Sequence, residues 1–172
     1  IVTLNLNELV QQVNGEFSER FEARSLELIC HLPLESALLK ADGRYIWRVL
    51  ENLYGNAAKY AMPSTRVYVD VVKKAGMVML SIKNVSEQTL NISADELMER
   101  FVRGDSSRTT EGSGLGLSIA KNLVILMGGS FELYVDGDLF KAILTFPEAR
   151  EETAGRGEAM ERQDFVLRKS EK

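Results

Sequence analysis

The 172-residue chain lacks the features that mark several classes of protein. Its single cysteine, Cys30, cannot form a disulfide within the chain, which fits a reducing compartment. The net charge of −4 offers no basic surface for nucleic acid, which is therefore not an expected partner. The apolar runs, such as 123–127, are too short to span a membrane, and no signal peptide is present. We therefore expect no direct membrane contact by this domain.

The rest of the composition is that of a globular domain, with 45% hydrophobic and 27% charged residues. A chain of this length can bury one good core, so we expect one domain and assign it to residues 1–147. From residue 148 the sequence becomes charged and poor in apolar residues. Residues 148–172 are therefore predicted to be a disordered tail or a short solvated helix. Because the first residue is Ile1 and not Met, we expect the chain to be a fragment.

The pattern of apolar residues predicts strands and helices in two layers, an α+β fold. Helical spacing is found at 7–24 and 114–127, and also in a second helix, between them, that follows Asp42 and should end near Pro63. Strand patterns are found at 26–32, 37–40, 67–72, 77–82, 130–135 and 139–146, the last four as two hairpins. Asp42 is the expected N-cap of the second helix, and Gly128-Gly129 should end the third. The connection 85–110 is long enough to predict a functional lid.

Three polar residues of the second predicted helix lie on one stripe. At about 100° per residue, Asn52, Asn56 and Lys59 are on the same side, whereas the apolar residues form a separate face. Two carboxamides and an amine are thus held over the edge of a core. A mid-helix Asn usually faces solvent, so this stripe indicates a binding site only together with a second motif.

That second motif is a glycine-rich segment opening the third helix: Gly112, Ser113, Gly114, Leu115, Gly116 and Leu117. Its glycines let the backbone approach a ligand, and a helix start favours anionic groups. A dinucleotide-binding loop would need an apolar strand just before it, but 105–111 is polar. A P-loop needs Gly-Lys-Ser/Thr, which is absent, and the companion signatures of protein kinases are missing too. A phosphate cradle within a mobile lid remains.

Residues 52–60 and 112–117 resemble the N box and G2 box of the catalytic, ATP-binding domain of bacterial sensor histidine kinases, in the superfamily shared with gyrase and MutL ATPases. The whole helix 44–61 is similar to the family helix, and 100–105 resembles the F box. The resemblance covers about residues 5–147 in the family's order of boxes. It implies a Bergerat-type two-layer α/β sandwich, with a mixed, mostly antiparallel sheet on three main helices and an ATP lid, and with ATP and Mg²⁺ as ligands.

The resemblance also implies individual roles. Asn56 would coordinate Mg²⁺ with support from Asn52, Lys59 would contact phosphate, and Tyr60 would flank the base, although core packing is an equal alternative for Tyr60. The catalytic set would be Asn52, Lys59 and Arg103, with Arg103 as a lid arginine that reaches phosphate. Solvated loop charge is the alternative for Arg103. The other candidate nucleotide-binding residues are Asn84, Phe101, Gly112, Ser113, Gly114, Leu115, Gly116 and Leu117.

One position separates phosphotransfer from hydrolysis. The ATPase branches of the superfamily carry a Glu four residues before the metal-binding Asn, and this Glu activates water. Here the position is Asn52, which cannot act as a base, and Glu51 lies about 100° around the helix. The resemblance thus implies a protein histidine kinase that transfers the ATP γ-phosphoryl group to a histidine on a separate dimerisation domain. The alternatives are a degenerate nucleotide-sensing module without transfer and an anti-sigma-type serine kinase.

Two departures from the family pattern concern the nucleotide site. The family usually carries Asp-x-Gly-x-Gly where this chain has Asn84-Val85-Ser86, so the acceptor oxygen for adenine is kept but its charge is lost. The last box, 136–140, is also only loosely similar to the usual Gly-x-Gly-Thr. Selectivity for adenine should weaken as a result.

The only histidine, His31, lies in a strand pattern and lacks the His-Glu-x-x-x-Pro context of the family's phosphoacceptor. We expect it to be a structural or surface residue. The phosphoacceptor and dimerisation helices would then be a partner outside this chain, and a response regulator would be the next partner. The resemblance implies a cytoplasmic domain of a protein that is membrane-anchored at full length.

Overall fold

The computed structural model describes residues 1–90, 96, 98 and 115–151. Within these residues there are seven strands and three helices. The strands are β1 (Val2–Asn5), β2 (Glu27–His31), β3 (Leu38–Ala41), β4 (Arg66–Lys74), β5 (Met77–Val85), β6 (Ser130–Asp136) and β7 (Leu139–Pro147). The helices are α1 (Leu6–Ala23), α2 (Gly43–Tyr60) and α3 (Leu115–Leu126).

Five strands form the main sheet in the order β2-β4-β5-β7-β6. The β2–β4 pair is parallel and the other three pairs are antiparallel, so the sheet is mixed and mostly antiparallel, as predicted. Alternate residues of the central strands are buried, including Val67, Val69 and Val71 on β4. This face packs with α1, α2 and α3 in one core, which confirms the two-layer α+β sandwich.

A second, two-stranded sheet is formed by β1 and β3, with Val2 opposite Ala41 and Asn5 opposite Leu38. The sequence analysis predicted β3 but no strand at β1. Four residues are too few for a clear alternating pattern, and the strand passes directly into α1. Asn5 marks the junction, because its side-chain oxygen accepts a hydrogen bond from Asn7 N at 3.1 Å.

Helix α2 begins where the sequence predicted. Asp42 Oδ1 accepts from Arg44 N at 2.9 Å and from Tyr45 N at 3.2 Å, which confirms it as the N-cap. The apolar face of the helix is buried against the core. At the other end the chain leaves α2 toward β5: Met62 N donates to Val85 O at 2.8 Å, and Ala61 forms a bridge with Ser86.

Helix α3 ends at the predicted glycines. Gly128 has φ of +85°, and Gly129 N donates to Val124 O at 2.9 Å, the pattern of a helix that ends on a left-handed residue. A Cβ on Gly129 would lie 2.6 Å from Phe146 Cε1 and 2.9 Å from Thr145 O. Glycine is therefore required for α3 to turn onto β7.

The end of β5 differs from the prediction, and two predicted segments lie mostly outside the described residues. Strand β5 extends to Val85, so Asn84 lies inside the strand, opposite Val67 and Phe140, and not after it as expected. Most of the proposed lid 85–110 and of the tail 148–172 lies outside the described residues. No helix in the described ranges is both long and apolar enough to cross a membrane.

Candidate functional site

An open cavity of about 670 Å³ lies between α1, α2 and the start of α3. This volume is within the range of small-molecule sites, which is about 300–1,000 Å³. Helix α2 forms its floor. The lining residues are Phe17, Arg20, Ala23, Arg24, Glu51, Asn52, Gly55, Asn56, Ala58, Lys59, Tyr60, Gly116 and Leu117.

Six of the sequence-predicted site residues meet at this cavity, although they come from two segments more than fifty residues apart in the chain. They are Asn52, Asn56, Lys59, Tyr60, Gly116 and Leu117. The periodicity of α2 explains the first four, because its apolar face is buried in the core and its polar stripe is left to face the cavity. The start of α3 supplies the other two.

The two segments touch at Asn52. A Cβ built on Gly116 would lie 3.3 Å from Asn52 Oδ1, so the absence of a side chain at residue 116 lets α3 pack onto this carboxamide. Asn52 Nδ2 is buried and has no hydrogen-bond partner among the described residues. A buried amide without a partner is costly, and such a group in a cavity wall is suited to a polar ligand.

The opposite side of α2 faces α1. The nearest atom to a Cβ built on Gly55 is Phe17 Cε1 at 3.8 Å. Glu51 lies one turn before Gly55, on this α1 side of the floor, whereas Asn52 faces Gly116 on the α3 side. The carboxylate and the carboxamide are thus directed to different walls of one cavity.

The last turn of α2 brings a cation and an aromatic ring together. Lys59 is exposed and its Nζ lies 5.4 Å from the centroid of the Tyr60 ring. This is a cation–π distance. Tyr60 is half-buried and lines the cavity, so its ring forms part of the cavity wall.

A buried aromatic cluster supports α2 from the core side. Tyr54 stacks on Phe21 with ring centroids 6.1 Å apart, and its ring centroid lies 5.6 Å from that of Phe17. The Tyr54 hydroxyl donates a hydrogen bond to Asn14 Oδ1. Burial raises the pKa of Tyr54 well above its ordinary value, so the hydroxyl stays protonated and keeps its role as donor.

One predicted site residue among the described ones is not at this cavity. Asn84 is 4% exposed and does not line it. Leu115 begins α3, but the structure describes only its backbone. The remaining residues, Phe101, Arg103, Gly112, Ser113 and Gly114, lie outside the described residues.

Two arginines of the cavity wall were missed by sequence reasoning. Arg20 lies over the Phe17 ring, with its Cζ 4.8 Å from the centroid. Arg24 donates through Nη1 to Ala58 O at 2.7 Å and through Nη2 to Glu87 Oε2 at 2.8 Å. Both residues belong to the end of α1, where a polar pattern predicts only solvation. The partners of Arg24 are distant in the sequence, so no local signal marks it, whereas Arg20 lies three residues after Phe17, a spacing that places the two on one helix face.

The donor atoms of the cavity favour one kind of cation site. In the part of the chain that the structure describes, no group of three or more His, Cys, Asp and Glu residues could hold a metal ion. The cavity offers the carboxamides of Asn52 and Asn56. Carboxamide oxygens suit Mg²⁺, which takes few protein ligands and most of its shell from water and substrate phosphates. These residues therefore fit Mg²⁺ that arrives with a nucleotide.

The sequence is similar to known proteins along most of its length. Residues 41–163 match the family model described as histidine kinase-, DNA gyrase B-, and HSP90-like ATPase. The chain is 31% identical over 129 residues to the sensor protein VanSC of Enterococcus gallinarum, covering 74% of this chain and 35% of that one. It is 30% identical over 133 residues to the probable sensor protein PcoS of Escherichia coli, covering 76% and 28%. The chain thus spans about a third of the length of these relatives.

Solved structures with the same fold include histidine kinases. The catalytic domain of histidine kinase ThkA superposes with a TM-score of 0.73 at 24% identity, covering 86% of this chain and 95% of that one. Full-length ShkA in complex with AMPPNP gives a TM-score of 0.70 at 24% identity, covering 90% of this chain and 32% of that one. At this level of identity the likeness shows the fold.

Proposed function

Since the chain belongs to the histidine kinase-, DNA gyrase B- and HSP90-like ATPase family, we propose that it is the ATP-binding catalytic domain of a two-component sensor histidine kinase. The curated relatives named above are sensor proteins. The observation that carries the proposal is the meeting of two motif segments at one cavity. Asn52 and Asn56 lie on its floor, and Gly116 closes directly onto Asn52.

The reaction we propose is transfer of the γ-phosphoryl group of ATP to a histidine on a separate dimerisation domain. The bond between the γ-phosphorus and the β–γ bridging oxygen breaks, a bond to an imidazole nitrogen forms, and ADP leaves. Such transfer depends mainly on positioning and on offsetting phosphate charge. The chain's residues would do both, with Asn56 and Asn52 orienting the phosphates and Lys59 and Arg103 neutralising them.

Magnesium would enter with the nucleotide. Mg²⁺ bound to phosphate oxygens would offset the negative charge of the triphosphate. We assign Asn56 as the protein ligand and Asn52 as its support. The orphaned Nδ2 of Asn52 supports this arrangement, because an amide that faces a ligand-filled cavity can donate to a phosphate oxygen or to an ordered water.

The acceptor of the phosphoryl group would be outside this chain. His31 is the only histidine, its side chain is 70% exposed on the edge strand β2, and Nδ1 lies 2.8 Å from Asp70 Oδ1. It does not line the cavity. The dimerisation domain and, after it, a response regulator are therefore the proposed partners. ThkA, which shares the fold, has been solved in complex with the response regulator TrrA. We propose a cytoplasmic location for this domain, within a membrane-anchored full-length protein.

Calorimetric titration of the native chain with Mg-ATP and with Mg-ADP tests the proposal. We expect saturable binding of one nucleotide per chain, and very slow hydrolysis because no carboxylate stands at residue 52. Asn122→Ala is a matched control, since Asn122 is exposed on α3 and does not line the cavity. No binding at millimolar nucleotide would favour the alternative of a degenerate module, and rapid turnover would contradict the kinase proposal.

We also propose that Asn84 selects the base. The residue is 4% exposed and does not line the cavity, so the support for this role is the resemblance at 84–86 and the bond between β5 and the end of α2. This residue is on the helix-facing side of β5 and precedes Val85, which bonds to the end of α2. A carboxamide can accept from the adenine amino group or donate to the guanine carbonyl by rotating, whereas a carboxylate only accepts. We expect the native preference for ATP over GTP to be small and Asn84→Asp to sharpen it by about tenfold, equivalent to about 1.4 kcal/mol of discrimination. Equal exclusion of GTP by both proteins would place base selection elsewhere.

A further inference from the structure

At the last turn of α2 the carbonyl of Ala58 lacks its usual helical donor, and the side chain of Arg24 donates to it instead. In a longer helix the carbonyl of Ala58 would accept from the amide of residue 62, but Met62 N donates to Val85 O instead. The side chain of Arg24 takes its place, because Nη1 donates to Ala58 O at 2.7 Å. A cation at this end of a helix is also favourable for the helix dipole.

The same guanidinium joins a third element. Nη2 donates to Glu87 Oε2 at 2.8 Å, and Glu87 lies just after β5. The backbone of Glu87 donates to Tyr60 O at 2.9 Å, so Glu87 is tied to the end of α2 by its main chain and to Arg24 by its side chain. Arg24 thus contacts both the last turn of α2 and the exit from β5.

Arg24 is itself well held and directed inward. Its side chain is 23% exposed, and it lines the cavity. Its carbonyl accepts from Ser64 N at 3.1 Å, and its amide donates to Phe21 O at 3.2 Å. A planar guanidinium held at its backbone can make two bonds in fixed directions, which the single head group of lysine cannot do equally well.

From this geometry we propose that Arg24 is a positioning residue of the nucleotide site, which holds the last turn of α2, where Tyr60 lies, against the exit from β5, the strand that carries Asn84. The inference rests on the proposed function, since these two residues are assigned to the base. Arg24 acts through them and through Ala58 and Glu87. It sets the base end of the pocket, whereas the phosphate end depends on Asn52, Asn56 and α3.

Three variants test the inference by calorimetry with Mg-ATP and Mg-ADP. Arg24→Ala should weaken the binding of both nucleotides by the same factor, about tenfold, because the base is common to both and one part-buried charge-assisted hydrogen bond is of this order. Arg24→Lys should restore part of the affinity and leave a loss of about threefold. Glu87→Gln keeps a hydrogen-bond acceptor and should lose least. In the full-length kinase, Arg24→Ala should raise the KM for ATP and leave kcat unchanged.

The control is Arg66→Ala. Arg66 Nε lies 3.6 Å from Glu27 Oε2 in an exposed ion pair that does not line the cavity, so its loss should leave both affinities unchanged. Amide exchange of Met62 and Glu87 should accelerate in Arg24→Ala and stay slow in Arg66→Ala. This second measurement does not depend on nucleotide.

The outcomes separate the two claims. If the native chain binds nucleotide and Arg24→Ala binds it with the same affinity, the positioning role is overturned and the proposed function stands. The same holds if Arg24→Ala binds with native affinity but at fewer sites per chain, since then only part of the sample is able to bind. If the native chain binds no nucleotide, the proposed function is overturned first. An equal loss for ATP and ADP with rescue by Arg24→Lys supports the inference. Should Arg24→Ala fail to fold, Arg24→Lys and Glu87→Gln decide it.

Discussion

The two ends of α2 are built in different ways. The first turn is capped by Asp42, which bonds to amides two and three residues further along the chain. The last turn is completed by Arg24, 34 residues before Ala58, and by Val85 and Glu87 at and just after the end of β5. The locally capped end contacts no ligand in our proposal, whereas the end held from a distance carries Lys59 and Tyr60. Stability and ligand geometry are thus assigned to opposite ends of one helix.

The largest effect is expected in the half of α2 that faces the phosphates. Asn56→Ala removes the proposed metal ligand and should lower autophosphorylation of the full-length kinase by about a hundredfold or more, as loss of a well-placed electrostatic group does. The free energy of unfolding should change little, because Asn56 lines an open cavity. Autophosphorylation assays and chemical denaturation measure the two quantities. Near-native phosphorylation would show that the Asn56 assignment is wrong, and Asn122→Ala again serves as the control.

The middle of the helix should respond to pH. Tyr54→Phe removes the hydrogen bond to Asn14 and should lower the free energy of unfolding by about 1.5 kcal/mol near neutral pH. Burial raises the folded pKa of Tyr54 above its unfolded value. The stability linked to this proton is therefore fully present below about pH 10 and is lost as the pH rises toward the folded pKa. The native protein should lose that contribution and Tyr54→Phe should not.

Urea denaturation at about pH 8 and about pH 11 measures this difference between the two proteins. Tyr134→Phe is the control, because it removes a phenol that is 52% exposed on β6. If native protein and Tyr54→Phe lose stability in parallel, the phenol does not titrate differently in the folded state.

A smaller effect is expected at the locally capped end. Asp42→Ala should lower the free energy of unfolding by about 1 kcal/mol and leave nucleotide affinity unchanged. Asp42→Asn retains a capping oxygen and should restore most of the stability. Denaturation and calorimetry on the same samples check both statements. A drop in affinity comparable to that of Arg24→Ala would remove the distinction between the two ends.

The smallest effect concerns Glu51. Because this exposed carboxylate lies on the α1 side of the cavity while Asn52 lies on the α3 side, Glu51→Gln should leave the slow hydrolysis of ATP unchanged. The release of inorganic phosphate by the native chain and by the variant provides the measurement. A clear loss of hydrolysis in Glu51→Gln would identify Glu51 as the base that activates water.

Local patterns predicted most of this fold and part of the site. The Asp42 cap, the polar stripe of α2 and the left-handed turn at Gly128 depend on residues nearby in the chain, so the sequence contains their cause, whereas Gly129 is also required by its contact with Phe146 on β7. Strand β1 was missed because its partner β3 lies beyond α1 and β2. The contacts of Arg24 depend on three elements meeting in space, which no local pattern encodes. Asn84 was predicted to follow β5 but lies within it, because the last residues of β5 are held by pairing with β7.

The single parallel pair of the main sheet has a kinetic consequence. Lys74 and Met77 pair across a tight turn, but Glu27 pairs with Arg66, 39 residues later, across β3 and α2. Closing the longer segment costs roughly 2 kcal/mol more in chain entropy. During folding we therefore expect the hairpins to form early and β2 to join last, bringing α1 with it. The wall that carries Arg24 would then be completed at the end of folding, so a newly made chain would acquire the four antiparallel strands of its sheet before it acquires a nucleotide site.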